Sequence, residues 1–160
     1  MKYTVKDYET RYYAGIEIEN GIDITAQTNS ISDTWSLLFH QYVDKIKELK
    51  EPNQFIGLEC YPPNFMEEKV FDYYAMVETK KLVDQVDGIT TKKLPRGEYI
   101  SFEIEFDDIR NEIQKVYAYI REKKIEINHG FDYEEYLNEY NYMESGAKLN
   151  FSLLLKNNDW

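Results

Sequence analysis

The sequence predicts an α+β domain: a duplicated β-α-β-β unit, its two main helices on one side of a largely antiparallel sheet, with a ligand cleft between the halves. Three observations predict it. Two segments carry apolar residues at helical spacing, the segments around them alternate or run apolar at strand length, and both kinds follow the same order in each half of the chain. The halves run about 1–84 and 85–160. With few glycines and prolines and no Ser/Gly-rich joint between the halves, a single domain over 1–160 is expected.

Each half opens with a lead-in. "YTVKDYETRYYAGIEIE" and "ITTKKLPRGEYISFEIE" both read short strand, turn, long strand, with Pro95-Arg96-Gly97 as the second turn. Tyr12, Ala14, Ile16 and Ile18 share one face of the first long strand, and Ile100, Phe102, Ile104 and Phe106 share one face of the second. The first helix starts at a cap of Ser32 or Asp33. It places Trp35, Leu38, Phe39, Tyr42, Val43 and Ile46 at three- and four-residue steps, and ends before Pro52. The second is capped by Asp107 or Asp108 and carries Ile109, Ile113, Val116, Tyr117 and Ile120. After the first helix come "FIGLECY" and, past the Pro62-Pro63 loop, "VFDYYAMVET".

After the second helix the chain reads "FDYEEYLNEYNY", which has two readings. A helix would put Tyr133, Leu137 and Tyr140 on one face, whereas a strand points Glu134 and Tyr136 the same way. Its counterpart "FIGLECY" is short, contains Gly57 and lies between Pro52 and Pro62, so it is a poor helix. By that correspondence "DYEEYL" is read as a strand and 138–146 as a hairpin loop. Glu139, Tyr140 and Tyr142 then fall outside the expected site. "AKLNFSLLLK" closes the second half as a strand.

Composition narrows the function. The 30 acidic residues outnumber the 19 basic ones, for a formal net charge of -11. Nucleic acid and anionic membrane are disfavoured as partners, because both are bound through Lys and Arg clusters; a cationic partner is favoured. No apolar stretch reaches membrane-spanning length, and the N-terminus lacks a secretory pattern. A lone Cys60, which reads as a strand-packing residue, agrees with a cytoplasmic location. His40, His129 and Cys60 have no metal-ligand spacing, there is no phosphate-binding glycine loop, and no cofactor is expected. Glu67 with Glu68, and Asp107 with Asp108, read as loop and capping residues. Fifteen tyrosines mean either wet-edged packing or a surface for an aromatic ligand.

Taken in this order, the segments resemble the GyrI-like small-molecule-binding domain, which also serves as the effector-binding domain of multidrug-responsive regulators. "MKYTVKDYETRYYAGIEIEN" is similar to the family's first hairpin, and "FIGLECYPPN" to its strand ending in a Pro-containing loop. "VFDYYAMV" with Asp72 resembles the next strand, and "LPRGEYISFEIEF" the second hairpin. "YEEYL" resembles an aromatic-Glu-x-Tyr motif, here Tyr133, Glu134 and Tyr136, and "LNFSLLLK" the closing strand. The chain departs from the family at Glu105-Phe106-Asp107, where a His-x-Gly is common, and at Leu154, where a proline is common.

The resemblance implies a pair of SHS2-like modules with an aromatic cleft around one glutamate. On motif, that glutamate is Glu134 with Tyr136 beside it. On face, Trp35, Phe39, Tyr42, Ile113 and Tyr117 are candidate walls, and Tyr12, Tyr74 and Phe102 are weaker candidates from the sheet. The implied function is a stand-alone multidrug-type binding protein for lipophilic, often cationic aromatic molecules, without a DNA-binding domain. Two alternatives stand beside it. One is a hydrolase of cyclopropane-bearing alkylating compounds in which Glu134 activates water. The other is a protein partner role of the gyrase-inhibitor type.

Overall fold

The structure is a computed structural model and describes residues 1–156. In chain order its elements are β1 (Tyr3–Tyr8), β2 (Arg11–Glu17), β3 (Ile22–Asp23), α1 (Ile31–Leu37), β4 (Phe55–Cys60), α2 (Phe65–Glu68), β5 (Val70–Thr79), β6 (Thr90–Leu94), β7 (Gly97–Glu105), α3 (Ile109–Glu122), β8 (Phe131–Tyr136) and β9 (Lys148–Leu154). The helical run of α1 continues through a π turn at Leu38–Tyr42 and a 3-10 turn at Val43–Lys45. No helix among the described residues is long and apolar enough to cross a membrane.

Every strand pairing is antiparallel, and the order is β1-β7-β9-β8-β4-β5-β2-β6, with β3 on β5. The three strands around each helix repeat one arrangement, β4-β5-β2 in the first half and β8-β9-β7 in the second. "DYEEYL" is a strand, as its correspondence with "FIGLECY" requires.

The lead-in segments are not hairpins. β1 pairs with β7, from Tyr3 opposite Phe102 to Tyr8 opposite Gly97, and β6 pairs with β2, from Arg11 opposite Leu94 to Gly15 opposite Thr90. The short strand of each half thus pairs with the long strand of the other. Neither Glu9-Thr10 nor Pro95-Arg96 adopts the positive φ that tight two-residue hairpins favour, and each segment runs on instead of doubling back. Two intervening residues span at most about 11 Å. The ends of β1 and β2 therefore meet at a corner, and the sheet curls to bring its outer strands together.

Side chains on the helix side form two clusters. One gathers Ala14, Ile16, Tyr73, Ala75 and Val77 with Leu38, and the other Ile100, Phe102, Ile104, Leu149 and Phe151 with Val116 and Ile120. The opposite face holds Tyr13, Ile56, Leu58, Tyr74, Met76, Tyr99 and Tyr133. Buried Arg11 enters that third cluster at the corner, its guanidinium 3.7 Å from the centre of the Tyr8 ring and 4.9 Å from that of Tyr99. Its Nη2 donates to the Tyr133 hydroxyl at 2.9 Å. Ring faces and one hydroxyl thus replace part of the hydration that the cation loses.

Candidate functional site

The site grows from the two central strands. Phe55 lies opposite Tyr136, Gly57 opposite Glu134 and Glu59 opposite Asp132. Directly opposed residues of an antiparallel pair share a face, and alternation sends this set toward the helices. There they floor a cavity of about 1670 Å³ between α1 and α3. Its walls include Trp35 from α1 and Phe39 from the π turn that follows it, Ile113 and Tyr117 from α3, and Tyr61, Phe65 and Phe71 from the first half's loop, short helix and strand.

Three carboxyl groups on this floor are buried: Glu59 is 5% exposed, Asp132 0% and Glu134 7%. The Tyr136 hydroxyl donates to Glu134 Oε2 at 2.8 Å. Asp132 Oδ2 accepts from the Tyr61 hydroxyl at 2.8 Å and from the Tyr117 hydroxyl. Glu59 Oε2 and Asp132 Oδ1 receive no hydrogen bond from another residue among those described. No ion pair among the described residues includes any of the three. The arginine and histidine side chains that line the cavity, Arg110, His40 and His129, are exposed.

Burial raises the proton affinity of all three acids. The rise is largest in consequence at Glu59, where repulsion from Glu134 and Asp132 adds to desolvation and lifts the carboxyl well above its ordinary range. Asp132 and Glu134 are also raised by burial, but hydrogen bonds from Glu59 and from the tyrosines oppose it. Of the three, Glu59 is accordingly the group that holds a proton most strongly, beside two carboxyl groups that can share it. Among the described residues no cluster of His, Cys, Asp and Glu has metal-holding geometry.

Gly57 has a role beyond breaking a helix. A Cβ there would stand 2.4 Å from the Tyr73 hydroxyl and 3.1 Å from Glu134 Oε2. The glycine leaves room for that hydroxyl, which accepts the Trp35 indole N–H at 2.8 Å. The ring of Trp35 in turn stacks on Phe39, with centres 5.8 Å apart, and meets Tyr136 edge-on at 5.3 Å.

Of the residues singled out from sequence, Glu134, Tyr136, Trp35, Phe39, Ile113 and Tyr117 line one cavity. Four others lie elsewhere. Tyr42 follows the π turn, which shifts the helical register; it packs against the first-half core and is not among the cavity-lining residues. Tyr12 stands opposite Thr79 on β2, separated from the central pair by β5. Alternation along β5 turns Tyr73 toward the helices and Tyr74 away, where Lys92 sits over its ring at 4.5 Å. Phe102 is fully buried in the core beneath α3, edge-on to Tyr119.

Glu59, Asp132, Tyr61 and Tyr73 were not selected by motif. Strand parity contained the signal for two of them: Asp132 is two residues before Glu134, and Glu59 is the one charge in "FIGLEC". The 138–146 loop also departs from expectation. Tyr142 folds back, its hydroxyl accepting the Leu137 N–H at 2.8 Å and donating to the Lys148 carbonyl at 2.7 Å. Its ring lies 5.0 Å from Tyr136, and both Tyr140 and Tyr142 line the cavity.

A family model described as integron-associated effector binding protein, Cass2, matches residues 4–153. Three solved structures share the fold. The integron cassette protein VCH_CASS2 of Vibrio cholerae is 15% identical with a TM-score of 0.67, over 96% of this chain and 95% of that one. SAV2435, solved bound to tetraphenylphosphonium, is 14% identical with a TM-score of 0.74, over 98% and 94%. The C-terminal domain of EcmrR is 9% identical with a TM-score of 0.65, over 96% of each. At these identities the likeness is one of fold. No curated protein matches the chain by sequence.

Proposed function

The chain belongs to the Cass2 family of integron-associated effector binding proteins, and from that premise we propose that its cavity receives lipophilic, cationic aromatic small molecules. One observation carries the reading: three buried carboxyl groups face a large cavity walled by aromatic rings, and none of them is in an ion pair among the described residues. Even with a proton on Glu59, negative charge remains in a desolvated site. A ligand cation about 4 Å from Glu134 would gain roughly 4 kcal/mol at an effective dielectric of 20. Each ring face that meets the cation adds ~0.5 to 2 kcal/mol. Stacking and charge specify little about shape, so selectivity should be loose. SAV2435, which shares the fold, is a precedent for a lipophilic cation on this architecture.

Fluorescence titration with a cationic rhodamine tests the reading. Glu134→Gln keeps the volume and removes the charge, and should weaken the dye at least about tenfold, or ~1.4 kcal/mol. A neutral analogue should bind both proteins alike. Equal affinity of wild type and variant for the cationic dye would sink the charge-based reading.

A second reading, hydrolysis of cyclopropane-bearing alkylating compounds, has one observation in its favour. Protonated Glu59 next to Glu134 supplies the acid and base that water addition to a strained ring needs. Glu134 would take a proton from water as the water oxygen bonds to a ring carbon, the ring C–C bond breaks, and Glu59 protonates the carbon or conjugated oxygen that receives its electron pair. Mass spectrometry for the ring-opened product decides it. Absence of turnover alongside saturable dye binding leaves the binding reading alone.

A further inference from the structure

The floor of the cavity offers two separate anionic stations. Glu134 is held by Tyr136, near Trp35, Phe39 and Phe55, whose rings touch one another at 5.0 to 6.3 Å. Asp132 is held by Tyr61 and Tyr117, and Tyr61 packs against Phe65 at 5.0 Å and Phe71 at 5.5 Å. Two residues along one strand separate the stations by about 7 Å. The second station has an unmet requirement. Asp132 is fully buried, yet its Oδ1 accepts nothing, and neither does the facing Glu59 Oε2. An unpaired buried acceptor is costly, and a cationic group seated there would set its positive charge against both oxygens.

We propose that the Asp132–Glu59 pair is a second cation subsite, so that the cavity takes ligands carrying two cationic groups about 7 Å apart on a rigid aromatic frame. This rests on the reading of the cavity as a cation site. A monocation at Glu134 leaves the Asp132–Glu59 pair without a counter-charge; a second cationic group supplies one without a further loss of translational freedom. The absence of metal-holding geometry among the described residues points to an organic cation, and the flanking tyrosine and phenylalanine rings favour a flat one.

The test compares methyl viologen, a rigid bipyridine with a cationic nitrogen at each end, with N-methyl-4-phenylpyridinium, which has the same shape and one charge. Isothermal titration of the wild-type chain should show the dication bound about tenfold more tightly or better. Asp132→Asn should bring the two affinities within about threefold of each other, whereas Glu134→Gln weakens both probes. A phenylene-extended viologen, with its charges one ring further apart, should lose the advantage in the wild-type protein, which tests the spacing without any variant. Equal affinity of the wild type for dication and monocation overturns the second subsite and leaves the first reading intact. So does a preference that persists in Asp132→Asn, or an extended viologen that binds as tightly as methyl viologen. If neither probe binds, both readings fall together.

Discussion

Glu59→Gln should make the folded protein more stable at neutral pH than the wild type, by a margin that grows as the pH rises. An unfolded chain releases the Glu59 proton near the ordinary value of 4.5, while burial and the neighbouring Glu134 and Asp132 keep the folded group protonated far above that. Below the unfolded value the carboxyl is neutral in both states and its contribution to stability is fully present. Between the two values the folded state holds one more proton than the unfolded state, so stability falls by about 1.4 kcal/mol per pH unit. The loss accumulates across the pH window between the unfolded and the raised folded value. Glutamine has no proton to lose, keeps the shape, and can donate from its amide to Asp132 or Glu134. The raised values of those two acids persist in both proteins and largely cancel in the difference. Urea unfolding at several pH values in this window, with the slopes checked for equality, measures the margin. Parallel stability curves for wild type and variant would refute the shared-proton account.

Three further outcomes follow from named contacts. Gly57→Ala drives a methyl into the Tyr73 hydroxyl, 2.4 Å from where the Cβ must sit, and should cost about 1 to 3 kcal/mol in urea unfolding while weakening dye binding. Trp35→Phe deletes the 2.8 Å hydrogen bond to Tyr73 and should cost ~1 kcal/mol, read in the same experiment. Arg11→Lys keeps the charge but loses the planar stacking on Tyr8 and Tyr99, so it should lower the thermal midpoint nearly as far as Arg11→Met does. A lysine variant matching the wild type would show that the buried positive charge alone holds the corner.

The elements were legible in the sequence because hydrophobic period carried them. "VFDYYAMVET" is β5 from end to end, and the Glu134–Tyr136 alternation appears as a single hydrogen bond across one strand step. What stayed hidden was which strand pairs with which. Period fixes a strand's two faces but not its neighbour, and the lead-in strands exchange partners across the halves. The same limit explains the misplaced walls. Tyr74 and Tyr73 are adjacent and chemically identical, and only the neighbouring strands decide which one meets a helix. Tyr42 needed a different kind of knowledge, since nothing in "SLLFHQYVDK" announces a π turn.

The tyrosine surplus now divides by face. Tyr8, Tyr13, Tyr74, Tyr99 and Tyr133 belong to the cluster that Arg11 enters, while Tyr61, Tyr117, Tyr136, Tyr140 and Tyr142 line the cavity. On one side of the sheet a buried cation has ring faces and a hydroxyl around it; on the other, buried anions have hydroxyls and ring edges but, among the described residues, no cation paired with them. Tyr133 and Glu134 are consecutive, so a single strand, β8, contributes to both arrangements and is fixed between them. That strand meets the first half of the chain along β4, and Glu59 from β4 completes the carboxyl cluster. The anions of the cavity are therefore drawn from both halves and meet only where the halves pair. Neither half alone contains the site, and a cation that binds across Glu59 and Asp132 would strengthen the β4–β8 seam that creates it.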